Sequence, residues 1–368
     1  MRRLNELGIL SRPEFRTVAS VSGGSITAAA LATAFARISP PASGPIPEAV
    51  WNAELRDPLR SFTRRNVRTG PLVRRLLPWN WLRGSTAVLA LARAYERRLT
   101  PLPLTALPLR PAFLICATDM AFGVNWIFSR DRVGDYQAGY RTPPSDHPLA
   151  RAVAASSCFP PLFGPLPAGV TPGELTGGAF PAGPRRDSII AGMRLTDGGA
   201  YDNMGLEPVW KDHATVLVSD AGGLFTEQGD RGILWRIPRY QGIQERQTRA
   251  LRKRWLISSF ATEVLRGAYW GIGSAAARYG RPGGYSKDLA RDVIAQIRTD
   301  LDAFSGAEAA VLENHGYFLV EAALRAHLPE LVPPGALPLR PPHPEWLDEA
   351  SVRAALAQSG RRTLLGRF

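Results

Sequence analysis

The stretch Ser20-Val21-Ser22-Gly23-Gly24-Ser25 joins two segments with different local preferences. Residues 16–21 are rich in β-branched side chains, which favour a short strand. Residues 26–38 are rich in alanine and also contain larger apolar residues, which predicts a helix buried on most faces. Ser22 is therefore expected on a tight turn between strand and helix, beside backbone N–H groups at the positive end of the helix. This arrangement is typical of a nucleophilic serine.

The serine turn departs in one place from the usual nucleophile pattern G-x-S-x-G. Ser20 stands where the first glycine belongs, and Gly24 occupies the second glycine position. Serine is small, so we expect Ser20 to fit beneath the turn. Choosing Ser25 as the nucleophile would place Thr27 at the second glycine position, so we prefer Ser22. The alternative interpretation is a glycine-rich helix start without chemistry.

A nucleophilic serine needs a base, and Asp197 is the first candidate. It follows a short predicted strand at residues 194–196 and precedes Gly198 and Gly199. Two glycines permit an irregular turn with a close backbone approach, which could bring the carboxylate to another loop. The alternative is an ordinary Asp-Gly-Gly turn.

Histidine is the other class of candidate base. In an α/β-hydrolase triad the chain order would be Ser22, Asp197 and then a histidine such as His213 or His315. None of the histidines lies in a sequence motif typical of an active site. If replacement of each histidine by alanine leaves hydrolysis unchanged, a dyad is favoured. The five histidines are His147, His213, His315, His327 and His343.

The pattern of apolar segments indicates the fold class. Continuous or β-branched apolar runs predict strands at residues 112–118, 125–129 and 215–219, and an alanine-rich run predicts a helix at 148–157. Strands and helices alternate up to about residue 220, which favours an α/β fold with a mostly parallel central sheet and a helical C-terminal half. We expect a domain over residues 1–328, then a proline-rich linker and a short basic helical tail over 329–368.

Composition excludes several classes of protein. Of the 368 residues, 45% are hydrophobic and 21% are charged, so a packed core is expected and global disorder is not. Two cysteines exclude a disulfide-dense module and a four-cysteine zinc site, and apolar neighbours predict that Cys116 and Cys158 are buried thiols. We find no apolar run long enough to span a bilayer and no signal-peptide core, so we expect a cytoplasmic protein with peripheral membrane contact.

The formal net charge of +13 has three interpretations. It can reflect the arginine-rich composition alone, attraction to anionic lipid headgroups, or nucleic-acid binding. The arginines are scattered and no nucleic-acid motif is present, so we expect no nucleic-acid partner. A basic segment beside Trp79 and Trp81 is either a solvated face with two packed tryptophans or a lipid-interface patch. Its arginines are Arg64, Arg65, Arg68, Arg74 and Arg75.

Taken together, Ser20-Val21-Ser22-Gly23-Gly24-Ser25 and Asp197-Gly198-Gly199 resemble the patatin-like phospholipase family. The resemblance extends over roughly residues 1–325. It is strengthened by Ala117-Thr118-Asp119, Ala154-Ala155-Ser156, Phe159-Pro160-Pro161-Leu162-Phe163 and Tyr201-Asp202-Asn203-Met204-Gly205.

The resemblance implies a three-layer α/β/α fold and a Ser–Asp dyad without histidine. Ser22 would be the nucleophile and Asp197 the general base, while the Gly23 N–H could donate to the oxyanion. The implied activity is that of a phospholipase A-like or lysophospholipase-like esterase, which forms an acyl-enzyme on a lipid substrate. No cofactor or metal is implied.

The N-terminus is where the sequence departs from the family pattern. Family members carry a loop close to G-G-G-x-R-G on a first strand, and its N–H groups form most of the oxyanion hole. No such loop precedes Leu4, and the spacing of Leu4, Leu7 and Gly8 predicts the end of a helix. We expect either that the native protein is longer upstream of Met1 or that this is an inactive, lipid-binding scaffold. The start within a helix favours the first.

Overall fold

The computed structural model describes residues 1–80, 84–144, 147–160, 163–224, 229–230, 232–361 and 366. These residues divide into two compact units. We call the first the sheet unit, and it comprises residues 8–209, 300–305 and 366. We call the second the helical unit, and it comprises residues 1–7, 210–299 and 306–361.

Strands and helices alternate through most of the described chain. The strands are β1 (Thr17–Val21), β2 (Ala112–Asp119), β3 (Val124–Phe128), β4 (Val133–Asp135), β5 (Gly139–Arg141), β6 (Leu166–Pro167), β7 (Arg194–Asp197), β8 (Thr215–Asp220) and β9 (Arg266–Gly271). The first helices are α1 (Arg2–Glu6), α2 (Gly23–Arg37), α3 (Glu48–Trp51), α4 (Asp57–Thr63), α5 (Thr69–Leu76), α6 (Thr86–Arg98) and α7 (Leu149–Ser157). The others are α8 (Pro184–Ala191), α9 (Gly199–Asp202), α10 (Glu207–Trp210), α11 (Ile233–Ala261), α12 (Lys287–Asp292), α13 (Gly306–His327) and α14 (Glu349–Leu356).

The sheet unit is built on a seven-stranded sheet in which β2 is central. The strand order is β5-β4-β3-β2-β7-β6, and β1 also pairs with β2. The pair β1–β2 is parallel, and the other pairs in this sheet are antiparallel. The α/β class is confirmed, but the expectation of a mostly parallel central sheet is wrong for this sheet.

Short connections explain the antiparallel pairing. Residues 120–123, 129–132 and 136–138 are the whole of the links between β2, β3, β4 and β5. Links of this length can only reverse the chain, whereas a parallel pair needs a crossover of about a dozen residues or more. The parallel pair β1–β2 has such a crossover, which runs from α2 through α6.

One edge of β2 is shared by two strands, and this sharing positions the site. β3 pairs with one edge of β2, and β1 and β7 pair with successive parts of the other edge. Val21 at the end of β1 pairs with Cys116, and Asp197 at the end of β7 pairs with Ala117. Because β1 is parallel and β7 antiparallel to β2, their carboxyl ends meet. The register therefore brings Ser22 beside Asp197.

Small side chains allow the helices to pack closely on this sheet. In α2, residues Ala28, Ala29, Leu31, Ala32 and Ala34 are all buried, as expected for a helix that is apolar on most faces. The second alanine-rich helix, α7, packs against α2, α6, β2 and β7. The end of α7 is thereby held close to the strand ends that carry Ser22 and Asp197.

The helical unit contains a two-stranded parallel sheet, β8–β9, together with the long helices α11 and α13. The strand β9 was not predicted, since the C-terminal half of the chain was expected to be helical. Its sequence Arg-Gly-Ala-Tyr-Trp-Gly is short and lacks alternation, so only pairing with β8 defines it as a strand. Among the described residues, no helix is both long and apolar enough to cross a bilayer.

Two smaller predictions concern the N-terminus and the cysteines. Helix α1 ends at Glu6, and Gly8 has a φ of 68°, as predicted for a glycine that follows a helix end. Cys116 and Cys158 are buried free thiols, which confirms that prediction. Burial raises the pKa of both thiols to about 12, so neither is reactive at neutral pH. The three-layer arrangement and the domain boundary at residue 328 stay predictions.

Candidate active site

Ser22 occupies a strained turn between β1 and α2. Its backbone has φ 51° and ψ −124°, in the positive-φ region that costs a residue other than glycine about 1–3 kcal/mol. The Ser22 N–H donates to both the carbonyl oxygen (3.1 Å) and the hydroxyl oxygen (3.0 Å) of Ser156, which holds the turn in place. The Ser22 side chain is half-buried, and the two glycines after it are exposed.

The Ser22 hydroxyl donates directly to the Asp197 carboxylate. The distance from Ser22 Oγ to Asp197 Oδ2 is 2.8 Å, between residues 175 positions apart in sequence. Asp197 Oδ1 accepts the Gly199 N–H at 2.7 Å, and the Asp197 carbonyl oxygen accepts the Thr118 hydroxyl at 2.8 Å. Each carboxylate oxygen thus has a donor, so the orientation of this buried side chain is determined on both sides.

Space beside the two glycines after Asp197 is limited, and at Gly198 the near atom is a backbone oxygen. A Cβ on Gly198 would lie 2.4 Å from the Cys116 carbonyl oxygen and 3.0 Å from Val21 Cγ1. A Cβ on Gly199 would lie 2.7 Å from Asn203 Oδ1 and 3.1 Å from Asp197 Oδ1. At Gly198 the chain therefore approaches the backbone of β2 closely, next to the side chain at the end of β1, as predicted for a glycine at this position.

Ser156 links the two halves of the site. Besides binding the Ser22 N–H, its carbonyl oxygen accepts the Gly198 N–H at 3.3 Å. Its hydroxyl donates to the Cys116 carbonyl oxygen at 2.6 Å and lies 2.8 Å from Ser25 Oγ. One fully buried serine therefore contacts the serine turn, the aspartate turn and β2. The sequence showed Ala154-Ala155-Ser156 as a motif, but no role was predicted for Ser156.

Ser20 fits beneath the turn as expected, and polar contacts explain why a hydroxyl is tolerated there. Ser20 is buried, and its Oγ accepts the Ser25 hydroxyl at 3.1 Å and donates to the Leu114 carbonyl oxygen at 3.4 Å. A buried hydroxyl with such partners costs little, whereas an unpaired one is expensive. Ser25 is fully buried in this network, whereas Ser22 is half-buried, which agrees with the choice of Ser22 as the more accessible candidate.

Gly23 and Gly24 form the accessible surface beside Ser22. They are the first residues of α2, so their N–H groups have no acceptor within the helix. A Cβ on either glycine would meet no atom within 4 Å. The fifteen-residue helix behind them adds positive partial charge at this end. An anionic oxygen bound to Ser22 would therefore lie next to backbone donors.

Two of the five histidines contact groups other than Ser22 and Asp197. His315 Nε2 lies 2.7 Å from the Ile272 carbonyl oxygen, and the His147 ring stacks on Phe128 at 5.1 Å between centroids. Burial lowers the pKa of both imidazoles to about 4. Because Ser22 Oγ donates directly to Asp197, no imidazole stands between them. Within the described part of the chain, no group of three or more His, Cys, Asp or Glu side chains is placed to hold a metal.

The remaining motifs support the frame of the site. The Asp202 carboxylate accepts the backbone N–H groups of Met204, Leu206 and Glu207, which closes the turn after α9. Gly205 has a φ of 60°, and a Cβ there would lie 3.3 Å from Val21 Cγ2, at the end of β1.

Two further motifs lie before and after α7 in the sequence. The Asp119 carboxylate accepts the N–H groups of Ala121 and Phe122 and so shapes the turn between β2 and β3. The rings of Phe159 and Phe163 pack edge to face, 5.8 Å apart. The residues between them at 161–162 lie outside the described chain.

The basic segment near α5 is less uniform than its sequence indicates. Arg68 is buried and pairs with Asp300, so it is not part of a solvated face. Trp79 is 69% exposed, and the interpretation of it as a packed tryptophan is wrong. Trp81 lies outside the described residues. The lipid-interface interpretation of this segment stays a prediction.

Comparison with known proteins bears on the sheet unit. A family model described as patatin-like phospholipase matches residues 2–210 of the 368. The matched range includes Ser22, Asp197 and the whole seven-stranded sheet. It ends at residue 210, so the extension of the resemblance to residue 325 stays a prediction. A search of curated proteins found no match.

Proposed function

The chain belongs to the patatin-like phospholipase family, and from that premise we propose that it hydrolyses carboxylic ester bonds of lipids with Ser22 as nucleophile and Asp197 as general base. The single observation that carries the proposal is the 2.8 Å contact between Ser22 Oγ and Asp197 Oδ2 on a strained turn. A serine at such a turn is exposed to substrate while its base is already in hydrogen-bond reach.

In the first half-reaction Ser22 Oγ attacks the ester carbonyl carbon as its proton passes to Asp197 Oδ2. The carbonyl oxygen becomes an oxyanion, and the Gly23 N–H at the start of α2 is the donor we assign to it. The bond from carbon to the leaving alcohol oxygen then breaks, and Asp197 returns the proton to that oxygen. The product is an acyl ester of Ser22.

In the second half-reaction water attacks the acyl carbon and gives its proton to Asp197. The bond between carbon and Ser22 Oγ breaks, Ser22 regains the proton, and the fatty acid is released. A carboxylate is a weak base for an alcohol, so the step depends on positioning. The contacts of Asp197 with Gly199 and Thr118 supply that positioning, because they leave Oδ2 directed at Ser22.

The experiment compares the wild-type chain with Ser22→Ala and Asp197→Asn on a soluble nitrophenyl ester and on a diacyl phospholipid. Each variant should lose about 10³-fold or more in kcat, because nucleophile and base act as one unit. A fluorophosphonate probe should label the wild-type protein at Ser22 and leave Ser22→Ala unlabelled. His213→Ala is the control for a triad and should retain wild-type turnover.

Turnover that survives in Asp197→Asn would reject the dyad, and loss of turnover in His213→Ala would favour a histidine triad. A wild-type chain that is neither labelled nor active would support the scaffold alternative. Mass spectrometry of the labelled peptide identifies the modified serine directly.

A further inference from the structure

Helix α11 packs on the sheet β8–β9 through its second half. Arg249 Nη2 lies 2.5 Å from Asp220 Oδ1, at the end of β8, and also donates to the Gly222 carbonyl oxygen. Lys253 Nζ lies 4.5 Å from the centre of the Tyr269 ring, and Leu256 is fully buried. These contacts anchor residues 249–261 on the sheet β8–β9.

The first half of α11, residues 233–248, is exposed over nearly its whole length. Large apolar side chains nonetheless occur there at high density, and the exposed fraction reaches 76% for Ile233 and 66% for Ile237. Scattered exposed apolar residues are ordinary, but a contiguous set of this kind marks an interaction surface. The exposed apolar residues of this half are Ile233, Trp235, Ile237, Tyr240 and Ile243.

Helical spacing places part of this set on one stripe that continues into the anchored half. Ile237, Tyr240, Leu251 and Trp255 follow Ile233 by 4, 7, 18 and 22 positions, and all five side chains are exposed. At about 100° per residue these positions lie within a narrow arc of the helix.

The charges beside the stripe are almost all positive. Residues 233–254 contain a single carboxylate, Glu245, and seven basic side chains, one of which, Arg236, pairs with Asp230 just before the helix. Arg236 and Arg254 are both exposed and, eighteen positions apart, lie on the same side of the helix, next to the stripe. The seven basic residues are Arg236, Arg239, Arg246, Arg249, Arg252, Lys253 and Arg254.

We propose that the first half of α11, residues 233–248, binds the surface of an anionic lipid bilayer, with its apolar stripe at the level of the acyl chains and its arginines at the headgroups. Tryptophan, tyrosine and arginine are the side chains that favour this depth. The inference draws on the lipid substrate of the proposed function, because a hydrolase of lipid esters must reach a lipid surface. It does not depend on Ser22 being active.

A second copy of the chain is the competing occupant of this surface, and the charge argues against it. A twofold contact through the stripe would bring the predominantly basic surface of one helix against that of the other, and like charges in contact disfavour association. An anionic bilayer instead offers opposite charge and an apolar layer together. Pro238 and Gly242 weaken this half as an isolated helix, so an interface that covers it adds stability.

The experiment measures sedimentation of the full chain with large vesicles of phosphatidylcholine alone and of phosphatidylcholine containing one-third phosphatidylserine. The wild-type chain should bind the anionic vesicles, bind the neutral ones more weakly, and lose affinity as salt rises. Ile237→Asp should weaken binding about tenfold or more, because an apolar side chain leaves the interface and a like charge enters it. The double variant Arg236→Gln, Arg254→Gln should weaken binding to anionic vesicles by about tenfold and change binding to neutral vesicles little.

Val264→Asp is the matched control, since Val264 is 81% exposed, β-branched and outside α11, and the same charge is introduced. It should bind like the wild type, as should Ser22→Ala, which separates this proposal from failure of the proposed function. Ile237→Asp should hydrolyse a soluble ester at the wild-type rate, which shows that the fold is intact. Equal binding of Ile237→Asp and Val264→Asp, or no binding of the wild type, would overturn the proposal. So would light scattering that shows a wild-type dimer which Ile237→Asp dissociates without a change in vesicle binding.

Discussion

Helices α2 and α11 begin in opposite surroundings. At the start of α2, the buried residues Ser20, Ser25 and Ser156 exchange hydrogen bonds, and Ser22 is locked into a strained conformation. At the start of α11, large apolar side chains face solvent. Buried hydrogen bonds surround Ser22, whose atoms must be positioned for the proposed reaction. Exposed apolar side chains instead cover the first half of α11, for which we propose binding to a surface.

The largest effect on stability is expected from Gly198→Ala, which adds a methyl group in the tightly packed region beside the Ser22 turn. The new Cβ would lie 2.4 Å from the Cys116 carbonyl oxygen, a backbone atom of β2 that cannot move without displacing the strand. We expect the free energy of unfolding to fall by about 3 kcal/mol or more, with loss of turnover, measured by urea denaturation and ester hydrolysis.

Gly306→Ala is the control for this substitution, because a Cβ on Gly306, at the start of α13, meets nothing within 4 Å. It should change the free energy of unfolding by about 0.5 kcal/mol or less. If both variants unfold at the same urea concentration, the close approach at Gly198 is not a real constraint.

A smaller effect is expected from Ser156→Ala, which tests whether the buried hydroxyl network positions the dyad. The Cys116 carbonyl and the Ser22 N–H would each lose a partner, so kcat should fall roughly 10- to 100-fold with little change in KM. Stability should fall by about 1–3 kcal/mol, because the buried hydrogen bonds of the Ser156 hydroxyl are lost.

Ser157→Ala separates positioning from stability. Ser157 is also fully buried on α7, but its hydroxyl contacts the Val153 carbonyl oxygen and the Tyr95 hydroxyl. It should lose stability by a similar amount and keep its kcat. A kcat loss of the same size in both variants would mean that Ser156 acts only through the packing of α7.

A last prediction concerns pH, which should act through His147 in the sheet unit and leave α11 unchanged. Burial, followed by the charges of Arg151 and Arg141, lowers the pKa of His147 from 6.5 to about 4. The unfolded chain therefore binds a proton before the folded one does. The contribution of neutral His147 to stability is present above pH 6.5 and is lost as pH falls towards 4.

This contribution can be isolated with His147→Phe, which keeps a ring against Phe128 and removes the titrating group. Thermal unfolding followed between pH 7 and about 4 should show a shallower loss of stability for the variant, by up to about 3 kcal/mol. Vesicle binding by α11 depends on arginines, which do not titrate in this range. An unchanged acid slope in His147→Phe would show that His147 is not buried as described.

The strand–turn–helix around Ser22 could be predicted because every part of it is local. A β-branched run, two glycines and an alanine-rich run each have a preference within a few residues, and the structure has β1 at Thr17–Val21 and α2 at Gly23–Arg37. The buried cysteines and the glycine that follows α1 were predictable for the same reason.

Features that depend on a distant partner were missed or mistaken. The direction of the sheet was wrong because short links between β2 and β5 impose hairpins, and strand composition alone does not show this. The strand β9 is defined by its pairing with β8, and the role of Ser156 by contacts across three elements. Arg68 is buried because Asp300 lies beside it, 232 positions later in the chain.

By itself the sequence determined that a serine precedes the N-terminus of a buried helix, that an aspartate precedes two glycines, and that the two motifs resemble those of one family. Only the tertiary structure decided that they touch. The reason is the edge of β2, on which β1 ends opposite Cys116 and β7 ends opposite Ala117. Pairing register is a property of three strands at once, so no local preference near Ser22 or Asp197 could specify it.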